Sequence, residues 1–171
     1  MTARPEAFAC FTSTYASALG EIVLYERNAS LEGLWFAGQK RFGRGMQARV
    51  EVFETPLLSR VKFWLDAYFA GRNPAVDFPV RLVSTPFRES VWRVLRTIPY
   101  GSTATYGEIA SRVAPGASQV LARAVGQAVG ANPVCIVVPC HRVVGARRTL
   151  AGYAGGIDRK AALLRLEGLD Y

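Results

Sequence analysis

Two Thr-Pro dipeptides punctuate this chain, and each stands directly before a run of apolar residues at helical spacing. A threonine in extended conformation can cap the first free N–H groups of a helix, and proline suits the first turn, where its missing N–H would have no partner anyway. After Thr55-Pro56, residues Leu57, Leu58, Val61, Leu65, Tyr68 and Phe69 recur on one face until Gly71. After Thr85-Pro86, Phe87, Val91, Leu95 and Ile98 do the same, and the helix is expected to end at "PYGS". Ahead of the first helix, "GEIVLYE" and "LEGLWF" flank the turn-like "RNAS" and predict a hairpin. "GQKRFGRG" has no periodicity and reads as a loop, and "VDFPVRLVST" as a further short strand. Residues 1–82 therefore predict a small α+β unit.

From residue 83 to 171 the prediction is mainly helical. Thr105 to Glu108, "TYGE", is a capping-box pattern opening a helix to about Val113. "APGA" makes a turn, and Ser118 is expected to cap "QVLARAVGQAV", which stops at "GANP". Helix, short Gly-containing turn, helix is the spacing of a helix-turn-helix, although an ordinary helical hairpin shares it. The second helix carries Arg123 among Ala122, Ala124, Gly126 and Ala128. Such small residues admit close approach, either of a groove around one arginine or of another helix. Trp64 and Trp92 lie on helices and are expected in the core.

The charge balance bears on partners. Twenty-one Lys and Arg against thirteen Asp and Glu leave a formal charge of +8, which suits an anionic partner such as nucleic acid, or simply a solvated basic surface. With 171 residues, half of them apolar, the chain can bury a core of its own. No segment is long and apolar enough to span a bilayer, and "MTARPEAFACFTS" has no signal-peptide core, so a cytoplasmic location is expected. Cys10, Cys135 and Cys140 form neither a CxxC pair nor a cluster with histidines, so neither a disulfide framework nor a zinc site is predicted.

The most unusual chemistry lies in "VCIVVPCHRVVG", residues 134–145, where a strand-like run stops at Pro139 and the only histidine, His141, follows Cys140. A thiol attacks carbon well only as thiolate, and a nearby base is the usual activator. Adjacent side chains on extended chain face opposite ways, so a turn after Pro139 or an intervening water is needed to connect them. A third group must orient the imidazole; Asp158, Glu167 and Asp170 are the downstream acids, and Glu167 sits near the end of the probable helix "DRKAALLRLEGL". Taken alone, a Cys-His pair is as compatible with an inert buried cysteine.

Several stretches converge, however. "ARAVGQAVGANPVCIVVPCHRVVG" followed by "GYAGGIDRKAALLRLEG" closely resembles the O6-alkylguanine-DNA alkyltransferases, a family marked by a Pro-Cys-His-Arg segment, and "PYGSTATYGEIA" fits the same family. The resemblance runs from about Phe87 to Leu169 and is loose over residues 1–82. It implies that Cys140 is the alkyl acceptor, that His141 deprotonates it through a water, and that Glu167 orients the imidazole. Asn132 resembles the hinge tying the recognition helix to the active-site segment. Tyr106 resembles the phenol that rotates the target phosphodiester and helps protonate the departing guanine. Arg123 resembles the finger that fills the base stack, on a DNA-facing surface with Ala122, Ala124 and Gly126. Tyr153, with Gly155 and Val143, resembles the wall and lid of the substrate pocket.

The resemblance also implies a fold, a ribonuclease-H-like α/β N-terminal domain followed by a winged helix-turn-helix-like domain. It implies single-use repair of O6-alkylguanine in double-stranded DNA, with O4-alkylthymine left open as a second substrate. No metal, organic cofactor or membrane is called for, and a monomer is expected, with cooperative assembly on DNA left open. A non-catalytic lesion binder would lack the acceptor cysteine, and an alkylation-sensing regulator would need a further cysteine-rich metal module. A cysteine hydrolase is a more remote alternative. This chain departs from the family at Arg147 and Arg148, where many relatives have glycine, and at Leu121 and Gln127, where smaller residues are common.

Overall fold

In a computed structural model the described residues are 10–116 and 118–171, with the side chains of 118–120 outside the description. Strands β1 (Cys10–Ser17), β2 (Gly20–Arg27) and β3 (Ser30–Phe36) form an antiparallel meander, and the two-residue strand β4 (Glu51–Val52) adds parallel to β1. The sheet order is β3-β2-β1-β4. The predicted hairpin is β2-β3, its turn made by Asn28 and Ala29, both at positive φ. Strand β1 was not anticipated: "CFTSTYAS" alternates aromatic and hydroxyl residues and carries little apolar weight. "VDFPVRLVST" supplies no strand, only a bridge between Val80 and Leu31.

Both Thr-Pro helices start as expected, and the second stops at Leu95, before Ile98 and the expected end at "PYGS". In α1 (Pro56–Phe69) the Thr55 hydroxyl accepts from the N–H of Leu58, and in α2 (Pro86–Leu95) Thr85 accepts from Arg88. Helix α1 lays Leu58, Val61 and Leu65, all fully buried, into a core shared with Leu24 and Leu34 of the sheet. Each such side chain contributes roughly 2 kcal/mol of apolar transfer free energy. Trp64 and Trp92 are buried too, and their indole N–H groups donate to the carbonyls of Pro74 and Ala128.

A two-residue strand β5 (Ala104–Thr105) leads into α3 (Tyr106–Val113), whose capping box is complete: Thr105 Oγ1 accepts from Glu108 N at 3.2 Å, and Glu108 Oε2 accepts from Thr105 N at 2.6 Å. Helix α4 (Ser118–Val129) follows, although the Ser118 cap falls outside the described side chains. After it, β6 (Val143–Val144) pairs parallel with β5, and α5 (Ile157–Leu166) ends the chain. One hydrophobic cluster runs continuously from Ile22 on the sheet to Leu163 on α5, making a mixed α/β architecture. Among the described residues no helix is long and apolar enough to cross a membrane.

The expected strand in "VCIVV" is a correction. Val134 only touches the edge of β3, through Leu34 N to Pro133 O and Cys135 N to Leu34 O, both 2.9 Å. The chain then turns, with Val138 N bonding Val134 O at 3.0 Å and Ile136 held at φ 67°. A β-branched residue seldom adopts that left-handed conformation, at a cost on the order of 1–3 kcal/mol. A continuous apolar run reads alike as a buried strand or a buried turn, and the Asn132 side chain tips the balance toward the turn. Its amide donates to the carbonyls of Val138 (2.8 Å) and Val134 (3.4 Å), and its Oδ1 accepts from Val134 N at 3.0 Å.

Candidate active site

Pro139 is followed by a single 3-10 turn, Cys140–Arg142, which does not bring the two adjacent side chains together. It sends Cys140 into a cavity of about 210 Å³ and His141 the other way, into the protein. Both residues are buried, His141 completely. The His141 Nε2 lies 2.7 Å from Glu167 Oε1, so of the three acids considered, Glu167 is the partner.

Glu167 caps the end of α5 and is the hub of the site. Tyr68 of α1 donates to its Oε1 at 2.7 Å, Arg142 donates Nε to Oε2 at 2.9 Å and Nη2 to Oε1 at 3.0 Å, and Gly101 N donates to Oε2 at 3.1 Å. Gly101 has φ 70°, and a Cβ there would stand 3.1 Å from the Glu167 carbonyl oxygen, so glycine suits both the turn and the approach. Burial alone would raise the Glu167 carboxyl, but the hydrogen bond from His141 and the hydrogen bonds and charge of Arg142 outweigh it and hold the group down at about 2. Burial pushes His141 below its ordinary value despite its hydrogen bond to Glu167, so the imidazole is neutral.

These facts fix the tautomer. An ionised Glu167 only accepts hydrogen bonds, so Nε2 of His141 carries the proton and Nδ1 carries the lone pair. Nδ1 is buried and has no hydrogen-bond partner among the described residues. The ring therefore offers a basic nitrogen held by a carboxylate from behind, the arrangement that an activated nucleophile needs.

Cys140 shares its cavity with Tyr106, Asn132, Cys135, Gly152 and Tyr153. Its pKa is lowered, chiefly by a hydrogen bond from Cys135, which with the Asn132 amide and the Lys160 charge outweighs burial. Lys160 is fully buried, donates to the carbonyls of Val143, Ala151 (2.5 Å) and Gly152 (3.1 Å), and is pushed down to about 8 by burial. Tyr106 starts α3, donates to Ala151 O at 3.3 Å, and is raised above its usual value first by burial and then by Cys140.

A second, open cleft adjoins the cavity and is lined by Tyr106, Ala122, Arg123, Gly126, Gln127 and Arg41. Arg123 is exposed there, and Ala122 and Gly126 form the cleft floor, whereas Ala124 is half-buried and does not line it. Leu121 packs against the core rather than standing in the cleft.

Two expected pocket residues need correction. Val143 is fully buried in β6, behind the cavity, with its side chain in the core. Gly155 stands behind Tyr153, where a Cβ would approach the phenol ring at 2.6 Å and Phe36 at 3.2 Å; it lets the ring pack flat rather than forming the wall. The Tyr153 ring does line the cavity, with its hydroxyl buried.

Four further participants escaped the sequence reading. Arg142 was in plain sight within "PCHR". Tyr68 was read only as a core residue of α1, and Lys160 only as part of a helix. Cys135 was set aside as structural or incidental, yet it faces the cavity beside Cys140. Lys40 and Arg41, from the loop "GQKRFGRG", also line the cavity, and Arg41 Nη1 bonds Gln127 O at 3.1 Å. At Arg147 and Arg148, where the resemblance led to an expectation of glycine, both residues adopt left-handed φ, 56° and 61°, a conformation that favours glycine. Arg148 is tied down by Nη1 bonds to Thr103 O (2.7 Å) and Oγ1 (2.9 Å) and by Glu108 at 3.3 Å.

Comparison with known proteins agrees with this geometry. The profile of the family "6-O-methylguanine DNA methyltransferase, DNA binding domain" matches residues 86–169. A methylated-DNA–protein-cysteine methyltransferase of Mycobacterium tuberculosis is 57% identical over 104 residues, covering 60% of this chain and 61% of the relative's length. One of Haemophilus influenzae is 33% identical over 95% of this chain and 89% of its own. Among solved structures, Mycobacterium tuberculosis OGT in complex with DNA superposes with a TM-score of 0.79 at 43% identity, over 92% of both chains. The chain belongs to the methylated-DNA–protein-cysteine methyltransferase family.

Proposed function

We propose that this protein repairs alkylated DNA by moving the alkyl group from O6 of guanine onto the sulfur of Cys140, once per molecule. The observation that carries the reading is the state of His141, neutral, with Nε2 on Glu167 and Nδ1 buried without a hydrogen-bond partner among the described residues. A water between Nδ1 and the thiol completes the relay: Nδ1 takes the proton through it and the thiolate attacks the alkyl carbon. The C–O6 bond breaks as the S–C bond forms, and Tyr106, at the cavity edge, gives the departing guanine a proton. The product is a thioether, too stable to reverse, so the protein is spent. Asn132 positions the acceptor through the turn it holds, and Tyr153 forms the wall against the base.

The alkylated O6 of a stacked base is out of reach of a buried thiol, so the nucleotide must leave the helix. We read the open cleft beside the cavity as the route: α3 and α4 act as a helix-turn-helix in the minor groove, small residues Ala122 and Gly126 allow close approach, and Arg123 fills the gap left in the stack. Phosphate contacts from the +8 chain supply affinity without sequence preference, as a search for scattered lesions requires. Residues 1–82 as a ribonuclease-H-like domain and 83–171 as a winged-helix domain are part of the same reading, as are a monomeric state and a cytoplasmic setting that keeps the thiol reduced. O4-alkylthymine presents the same alkyl–oxygen bond and is a second candidate substrate. The reading is tested by Cys140→Ser, which is expected to bind lesion-bearing duplex as the parent does while transferring no alkyl group; transfer by the variant would overturn it.

A further inference from the structure

Cys135 and Cys140 are both buried, both unpaired, and both open into the same cavity. The backbone between them explains this: the positive φ of Ile136 and the Asn132 bonds fold "CIVVPC" back on itself, so that two sulfurs five positions apart face one space. In alkyl transfer Cys135 has only a supporting part, its hydrogen bond favouring the Cys140 thiolate, and its own sulfur takes no group. Cys135 is also not adrift in apolar packing, since the Gln39 amide approaches its sulfur from both ends, Nε2 at 3.6 Å and Oε1 at 3.7 Å, and Tyr153 lines the same cavity. Gln39 is itself buried and fixed by accepting from Phe36 N at 2.9 Å.

We propose that Cys135 is a resolving thiol for an oxidised Cys140, so that the two form a reversible disulfide under hydroperoxide. The proposal rests on Cys140 being the reactive acceptor. A thiol poised to attack an alkyl carbon as thiolate is equally open to peroxide, and a cavity that must admit an alkylated base admits a peroxide molecule freely. Cys140 thiolate attacks the peroxide oxygen, the O–O bond breaks, and sulfenic acid forms with release of hydroxide. Cys135 sulfur then attacks the sulfenic sulfur; the S–O bond breaks, the S–S bond forms, and the Cys135 proton leaves with the oxygen as water. Without a second thiol at hand, further peroxide would carry Cys140 on to sulfinic acid, which small thiols do not reduce. With it, a cellular dithiol returns both sulfurs by exchange. Cys135 keeps its proton until needed: the hydrogen bond to Cys140 and burial push its pKa well up.

The test is favoured by the sequence, because cleavage after Arg123 and Arg142 gives one tryptic peptide, 124–142, holding both cysteines. The full-length protein is treated with several equivalents of hydrogen peroxide, quenched with catalase, labelled with iodoacetamide under denaturing conditions and digested. The expected peptide lacks two hydrogens and takes no label, and alkyl transfer falls in proportion to the fraction so modified and returns in full with dithiothreitol. In Cys135→Ala the same peptide gains two oxygens and dithiothreitol restores nothing. A parent peptide that gains oxygens while Cys135 remains labelled, or a disulfide to Cys10 instead, overturns the proposal, and this outcome needs no variant to fold. Untreated protein assayed in parallel separates the two readings: loss of transfer there would count against the acceptor role, not against the thiol pair alone.

Discussion

The Tyr68 hydroxyl reaches both Glu167 Oε1, at 2.7 Å, and His141 Nε2, at 3.3 Å, so a residue of α1 from the first half of the chain completes the imidazole–carboxylate pair of the second. Burial, with Glu167 beside it, raises the Tyr68 phenol far above its usual range, so it acts only as a donor. Its removal in Tyr68→Phe leaves Oε1 to His141 and Arg142. A loss of about 1–2 kcal/mol of stability is expected for one buried hydrogen bond. The rate of alkyl transfer should fall several-fold most strongly at low pH, where the looser carboxylate holds the imidazole less firmly. Denaturation curves and a pH–rate profile check both.

Glu167→Gln is expected to do more damage. The neutral amide still fills the space, but half-buried Arg142 loses its carboxylate and His141 loses the ionised acceptor that fixes its tautomer. Breaking one side of a buried charge pair costs about 3–5 kcal/mol, and transfer should drop at least about tenfold. A folded variant that transferred at the parental rate would remove Glu167 from the mechanism.

Acid stability follows from the same carboxyl. Its pKa in the folded protein, about 2, lies below its ordinary value of 4.5, so the folded state holds the proton less readily than the unfolded chain. The stabilisation is complete above pH 4.5 and is lost as pH falls from there towards 2. It amounts to about 3 kcal/mol, at roughly 1.4 kcal/mol for each tenfold change in proton affinity. Urea midpoints measured from neutral pH down should decline through that window in the parent, and much less in Glu167→Gln.

Arg123 is exposed over the open cleft and makes no hydrogen bond among the described residues, so Arg123→Ala should leave stability within about 0.5 kcal/mol of the parent. Repair of a lesion in duplex should slow about tenfold or more, while reaction with the free alkylated base should be unchanged. Equal slowing of both would mean that Arg123 acts within the cavity rather than on the helix.

Much of the fold was legible where local chemistry is decisive. Thr55-Pro56, Thr85-Pro86 and the box at Thr105–Glu108 each announce a helix start through one side-chain cap, and all three form as read. The His141–Glu167 pair was implied by the family resemblance, the residues alone leaving Asp158, Glu167 and Asp170 open. What could not be read was anything made by contact between distant segments: Tyr68 meeting Glu167, Lys160 gathering three carbonyls, or Cys135 facing Cys140. Apolar runs hide turns for the same reason, since "VCIVV" shows no polar residue to mark its reversal and the stabilising amide, Asn132, lies just upstream. Val143 and Gly155 were placed in the pocket by resemblance alone, and their positions, in β6 and behind Tyr153, depend on packing.

The central claim is that the group lost by DNA ends on one sulfur. The protein is incubated with an oligonucleotide duplex bearing a single O6-methylguanine, and both partners are weighed intact and after digestion. The account predicts a protein heavier by one CH2 group, carried at Cys140 within the peptide 124–142, with an equimolar amount of unmodified guanine restored in the DNA. Unmodified protein with the lesion intact, or a methyl group found on Cys135 or Cys10 instead, would contradict it.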